Sequence, residues 1–177
     1  MNVLITGVQN MVKDTVVKLA MGKISGKVKL KALSFSDFVE DYEDPALEIP
    51  VLHDIQQKLT KNIQIKMLES KAGEHHIING YCTVDTRLGY IPIVTKESLA
   101  IFRPDMIALI EVDPTALGSK LRDRDRFQEH KAVERSCALF CSAWSGSGIR
   151  IIRTGPEGSR KGAEELSGLL KEMLEGK

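Results

Sequence analysis

A chain of 177 residues that is 42% hydrophobic and 28% charged reads as an ordinary soluble globular protein with one well-packed core, so a single domain over residues 1–177 is expected. A net charge of +1 gives no field that would draw the whole molecule to nucleic acid or to an anionic membrane. No apolar run approaches the roughly 18 residues a spanning helix needs, and the N-terminal run stops at Thr6 and Gly7 without a basic leader or cleavage signal, which predicts no membrane partner and a cytoplasmic location.

In chain order, MNVLIT reads as a short strand, and TGVQNMVKDT (residues 6–15) carries it into a helix expected over 13–22. A phosphate loop of the form G-x-x-x-x-G-K-[ST] needs its last glycine so that backbone N–H groups face the phosphates, and a hydroxyl after the lysine for Mg²⁺. Gly7 and Lys13 keep that spacing, with Val8, Gln9, Asn10 and Met11 between them, but Val12 and Asp14 stand where the glycine and hydroxyl belong and Thr15 follows. A β-branched residue at positive φ costs about 1–3 kcal/mol, so Val12 is expected to push the loop out of a cradling shape. Asp14 has two readings, a residue favoured at a helix N-terminus or a ligand for a bridging Mg²⁺. Lys13 likewise either reaches a phosphate or pairs with a nearby carboxylate.

GKVKLKALSF alternates Lys27, Lys29 and Lys31 with Val28, Leu30 and Ala32, the pattern of an edge strand with one wet face; a nucleic-acid stripe is the sharper and less favoured alternative. A helix is expected over 51–70, then a strand at HIING, where the adjacent His75 and His76 point to opposite faces and cannot easily grip one ion. DMIALIEV and GIRIIR read as further strands, and helices are expected over 126–143 and 161–175, the last with Ala163, Leu166, Leu170 and Met173 at helical spacing. Strands alternating with helices predict an α/β fold of three layers with a central parallel sheet of about five strands. In FQEHKAVERSCALFCSAW, Val133, Cys137, Phe140, Cys141 and Trp144 form an apolar stripe, read as core packing with a thiol site as the alternative. The three cysteines form no C-x-x-C pair, so reduced thiols and no metal site are expected.

The chain resembles the archaeal adenylate kinases, P-loop proteins that transfer a phosphoryl group between ATP and AMP. The resemblance runs nearly end to end through TGVQNMVKDT, GYIP at residues 89–92, RPDMIALIEVDP and RDRDRFQEHKAVER. It implies a P-loop fold, a lid-like segment at about 117–130, ATP and Mg²⁺ as ligands, phosphate contacts from Lys13, Arg124 and Arg135, and a trimer. The sequence also departs from that pattern. Asn79 and Tyr81 stand where the family has aspartate and histidine, no arginine lies near Ala46 and Leu47 to clamp a monophosphate, and Ser119 and Lys120 replace the first lid arginines, while Arg122, Arg124 and Arg135 still match. In RDRDR the aspartates either neutralise the arginines or leave them to a lid. Two functions are therefore expected as alternatives: an adenylate-kinase-like nucleotide-binding protein with weak or lost phosphoryl transfer, and a non-catalytic pseudo-kinase that serves as an interaction or regulatory module.

Overall fold

A computed structural model describes residues 1–8, 10–24, 29–35, 49–121, 123–156 and 158–176. Along the chain the elements are β1 (Asn2–Thr6), α1 (Met11–Gly22), β2 (Leu30–Ser34), α2 (Ile49–Leu68), β3 (His75–Asn79), β4 (Thr83–Thr86), β5 (Gly89–Pro92), α3 (Lys96–Phe102) and β6 (Met106–Glu111). A 3-10 helix (Pro114–Lys120), α4 (Arg124–Ser145), β7 (Gly148–Arg153) and α5 (Ser159–Leu174) complete it.

Five strands form one parallel sheet in the order β2-β3-β1-β6-β7, as the alternation of apolar runs and helices predicts. Central β1 is flanked by β3 and β6, with Leu4 opposite Ile78 and Ile107. Side chains alternate across the sheet. Leu4, Ile78, Ile107 and Leu109 face a core completed by Leu59, Leu99, Ala138 and Cys141 from α2, α3 and α4. Val3, Ile5, Ile77, Ala108 and Ile110 face a second core built with Val16 and Ala20 of α1 and Ala163, Leu166 and Leu170 of α5. The three layers thus follow from the apolar runs of the central strands β1, β3 and β6 being buried on both sides. Since the chain builds first to one side of β1 and then to the other, the carboxyl ends of β1, β3 and β6 flank a topological switch point, where open sheets of this kind leave a crevice.

Strand β2 lies at the sheet edge as its lysines predict, with Lys31 paired to Glu74 at 2.9 Å; Lys27 and Val28 lie outside the described residues. His75 and His76 separate as expected, His75 to the chain's amino group and His76 between Asn2 and Ser70. Two elements have no counterpart in the sequence reading. The β4–β5 hairpin is only four residues a side and antiparallel, outside the main sheet. Helix α3 is seven residues long, too short for a periodic signal, and depends on a capping box between Thr95 and Ser98.

The stripe read on α4 is corrected. Phe140 and Trp144 are 60% and 53% exposed and tilt against each other at 6.0 Å, while the inward face is Glu134, Cys137, Ala138 and Cys141. No helix among the described residues is long and apolar enough to cross a membrane.

Candidate functional site

The crevice is built by the β1–α1 connection and the end of β3. Gly7 has φ +144, and a Cβ there would lie 2.3 Å from the Ile110 carbonyl oxygen, so no other residue fits without moving β6. Asn10 then caps α1, its side chain accepting from the Lys13 N–H at 2.9 Å. This cap starts the helix at Met11 rather than at 13. Val12 therefore has helical backbone, and the strain expected from a positive φ does not arise; among the described residues only Arg103 takes positive φ without being glycine. Of the other loop residues, Val8 is buried, Met11 is exposed, Val12 packs partly against the α1 core, and Thr15 is exposed with its hydroxyl donating to the Met11 carbonyl at 2.7 Å. Gln9 lies outside the described residues.

Lys13 points inward from the first turn of α1 and is 2% exposed. Its ammonium donates to the Gly80 carbonyl and, at 3.4 Å, to Asn79 Oδ1, and stands 5.9 Å from the centre of the Tyr81 ring. Among the described residues no carboxylate lies within ion-pair distance, so the expected carboxylate partner is replaced by neutral oxygens. Burial lowers the Lys13 pKa below the usual lysine value, while Asp14, Glu134 and Cys82 pull the other way. Gly80 is fixed by packing, since a Cβ would sit 2.4 Å from the Phe35 ring. Lys13, Asp14, Ser34, Phe35, Asn79, Gly80 and Tyr81 line a cleft of about 260 Å³.

Beneath the cleft lies a carboxylate that the sequence reading passed over. Glu134 is 1% exposed and accepts from the Thr6 hydroxyl (2.6 Å), the Gly7 N–H (3.2 Å), the Cys82 N–H (2.6 Å), the Thr83 N–H (2.8 Å) and the Thr83 hydroxyl (2.5 Å). Five donors satisfy a buried charge that would otherwise be expensive. Glu134 ties the loop after β1, the turn after β3 and the middle of α4 to one another. The available signal was its spacing, three and seven residues before Cys137 and Cys141, on one helix face.

Residues 18–135 match the family described as AAA domain. The adenylate kinase of Thermococcus onnurineus is 32% identical over 193 aligned positions, which take in 98% of this chain and 94% of that protein. The chain belongs to the archaeal adenylate kinase family. The adenylate kinase of Pyrococcus horikoshii is similar at 28% identity over 192 positions, again covering 98% and 94%. Among solved structures, thymidylate kinase from Candida albicans superimposes with a TM-score of 0.58 at 16% identity, covering 99% of this chain and 91% of that one. Shikimate kinase from Aquifex aeolicus gives 0.50 at 15%, covering 99% and 97%. These two likenesses share the fold of P-loop kinases.

Against the family pattern, Asn79 is in place at the end of β3 and holds Lys13 through its amide oxygen, where the resemblance has an acid. The monophosphate clamp position near Ala46 and Leu47 lies outside the described residues, as does Arg122. Arg124 opens α4 and is exposed. Arg135 lies one residue beyond the carboxylate hub, its guanidinium donating to Glu111, which Arg153 also reaches at 3.4 Å. The structure does not gather Arg124, Arg135 and Lys13 around one point: the cleft of Lys13 is lined by neither arginine. In RDRDR, Asp123 caps α4 through the Arg126 N–H, and the Arg126 guanidinium makes paired bonds of 2.7 and 2.8 Å to Asp85 of β4. The self-paired reading of that segment is thus corrected for Arg126, whose partner comes from the hairpin.

Proposed function

We propose that the chain is an adenylate-kinase-like nucleotide-binding protein whose ATP:AMP phosphoryl transfer is weak or lost. The observation that carries this reading is the state of its cations. Transfer of a phosphoryl group from ATP to AMP, giving two ADP, needs several positive charges preorganised around the moving group. Among the described residues the Lys13 ammonium is the cation that lines the cleft, Arg135 is engaged by Glu111 and Arg126 by Asp85, and Asp14 adds a negative charge to the cleft wall.

A triphosphate fits this cleft through Lys13 and the start of α1, a helix N-terminus that favours anions. Mg²⁺ commonly takes one or two carboxylates together with phosphate oxygens and water, and Asp14 offers one hard oxygen ligand on the cleft wall. The metal would neutralise phosphate charge; Lys13 would orient the phosphate chain and Asp14 would be kept from repelling it. The segment at about 117–130, formed by the 3-10 helix and the first turns of α4, would act as the lid, with Arg124 on it. Family resemblance supports a cytoplasmic protein that assembles as a homo-oligomer, a trimer.

Steady-state ADP formation from ATP and AMP by the purified chain tests the reading. The expected turnover lies well below the roughly 1–10³ s⁻¹ usual for enzymes, and a kcat inside that range would refute the loss of transfer. A second reading, a non-catalytic module for a protein partner, is favoured by exposed Phe140 and Trp144, which rim an apolar groove with Pro92, Val94 and Val133.

A further inference from the structure

All three cysteines of the chain meet in one place. Cys82 comes from the turn after β3, Cys137 and Cys141 from successive turns of α4, and their sulfur atoms lie within 4.8 Å of one another. All three are buried, Cys82 and Cys141 fully and Cys137 at 9% exposure. The grouping was invisible in the sequence because Cys82 is 55 residues from Cys137 and the trio forms no C-x-x-C pair.

We propose that these cysteines form a three-thiolate binding site for a thiophilic d¹⁰ cation, with Cu⁺ the best match. Thiolate sulfur selects such ions over the hard cations that carboxylates hold. Sulfurs bound to one ion at about 2.3 Å stand about 4 Å apart, so closing this trio around an ion takes small side-chain adjustments rather than movement of the fold. Structural Zn²⁺ takes four ligands. Among the described residues no histidine, aspartate, glutamate or fourth cysteine joins the trio, which leaves the three-coordinate arrangement that Cu⁺ accepts.

Two further features are those of a built site. The Cys82 backbone is held by the bond from its N–H to Glu134 at 2.6 Å, and the Thr6 hydroxyl reaches Cys82 Sγ at 3.3 Å, so one ligand is positioned by neighbours in the way second-sphere groups orient metal ligands. Cys137 also lines the apolar groove beside Phe140 and Trp144, a cavity of about 390 Å³ that opens to solvent and gives the ion a way in. Binding exchanges S–H for S–Cu bonds, the thiol protons pass to solvent, and copper stays Cu⁺ throughout. The site shares Cys82 with the Glu134 hub, which also accepts from the Gly7 N–H.

The test uses the reduced, metal-free full chain under anaerobic conditions, titrated with Cu⁺ in competition with a chromophoric Cu⁺ chelator. One equivalent should be retained, with thiolate-to-copper absorption in the ultraviolet. Because the chain has three cysteines in all, that band reports on this cluster alone. Cys137→Ser and Cys141→Ser should each weaken retention by about 100-fold or more, since even second-sphere losses weaken metal sites by about 10–100-fold. Should either variant fail to fold, copper-edge X-ray absorption on the wild-type complex decides: three sulfur neighbours support the site, and nitrogen or oxygen neighbours overturn it. Failure of the wild-type chain to hold Cu⁺ against the chelator, or retention unchanged in both folded variants, also overturns it.

Discussion

Replacing Glu134 by alanine should lower the stability of the protein by about 3–5 kcal/mol, because a buried donor left without its acceptor costs about 1–3 kcal/mol and several are orphaned together. Five donors now converge on that carboxylate, and alanine would leave the Gly7, Cys82 and Thr83 N–H groups and the Thr6 and Thr83 hydroxyls without their acceptor. For a chain of this size the melting temperature should fall by roughly 6–20 °C. Glu134→Gln is the sharper variant because it keeps shape and removes one acceptor. Oε1 takes three donors and Oε2 takes two, so an amide NH₂ on either side meets donors head-on, and a loss of about 1–3 kcal/mol is expected. Denaturant unfolding of the three proteins measures both steps. A Glu134→Ala variant within 1 kcal/mol of wild type would mean that water replaces the carboxylate and that the hub holds nothing together.

Removing the charge of Asp14 should tighten ATP binding. Two like charges 4 Å apart repel by about 4 kcal/mol at an effective dielectric of 20. Asp14 is exposed, so screening reduces this, and a gain of about 1–2 kcal/mol, a factor of about 5–30, is expected for Asp14→Ser without Mg²⁺. With Mg²⁺ present the gain should shrink, because the carboxylate then has a cation to ligate. Two effects oppose this: the helix loses about 0.3–1 kcal/mol of favourable dipole interaction at its first turn, and Lys13 loses the strongest of the charges that keep it protonated. Calorimetric titration of ATP with and without Mg²⁺ reads the difference. Equal affinities for wild type and variant in the absence of Mg²⁺ would place the phosphates away from Asp14.

The sheet was legible because its central strands β1, β3 and β6 carry short apolar runs and its edge strands β2 and β7 mix apolar with basic residues, and α5 because Ala163, Leu166 and Leu170 repeat at helical spacing and are all buried. The same periodic reading chose the wrong face of α4. It counted Val133, Phe140 and Trp144 as inward, whereas the inward stripe begins one residue later at Glu134 and looks polar at its first position. A step of one residue turns a helix by about 100°, which is enough to exchange core for surface. Val12 was misplaced for a local reason: the Asn10 cap begins α1 two residues earlier than the apolar pattern suggests, so the valine sits comfortably in the helix. The Glu134 hub and the cysteine trio were out of reach for a different reason, since both join residues more than 50 positions apart and depend on the packing of α4 across the ends of β1 and β3.

In the proposed function, Lys13 is the phosphate-binding cation of a working nucleotide cleft. Titration of Mg-ATP into wild type and Lys13→Met, both shown to be folded by thermal unfolding, tests it most directly. Wild type should bind and gain about 2.7 kcal/mol of stability at 100 times Kd, and the variant should lose affinity by at least about tenfold. Since burial lowers the Lys13 pKa, its ammonium is lost at a pH below the ordinary lysine value of 10.5, and wild-type affinity should decline with rising pH before that point is reached while the variant stays flat. Equal affinity in the two proteins, or no binding to wild type with or without Mg²⁺, would contradict the account.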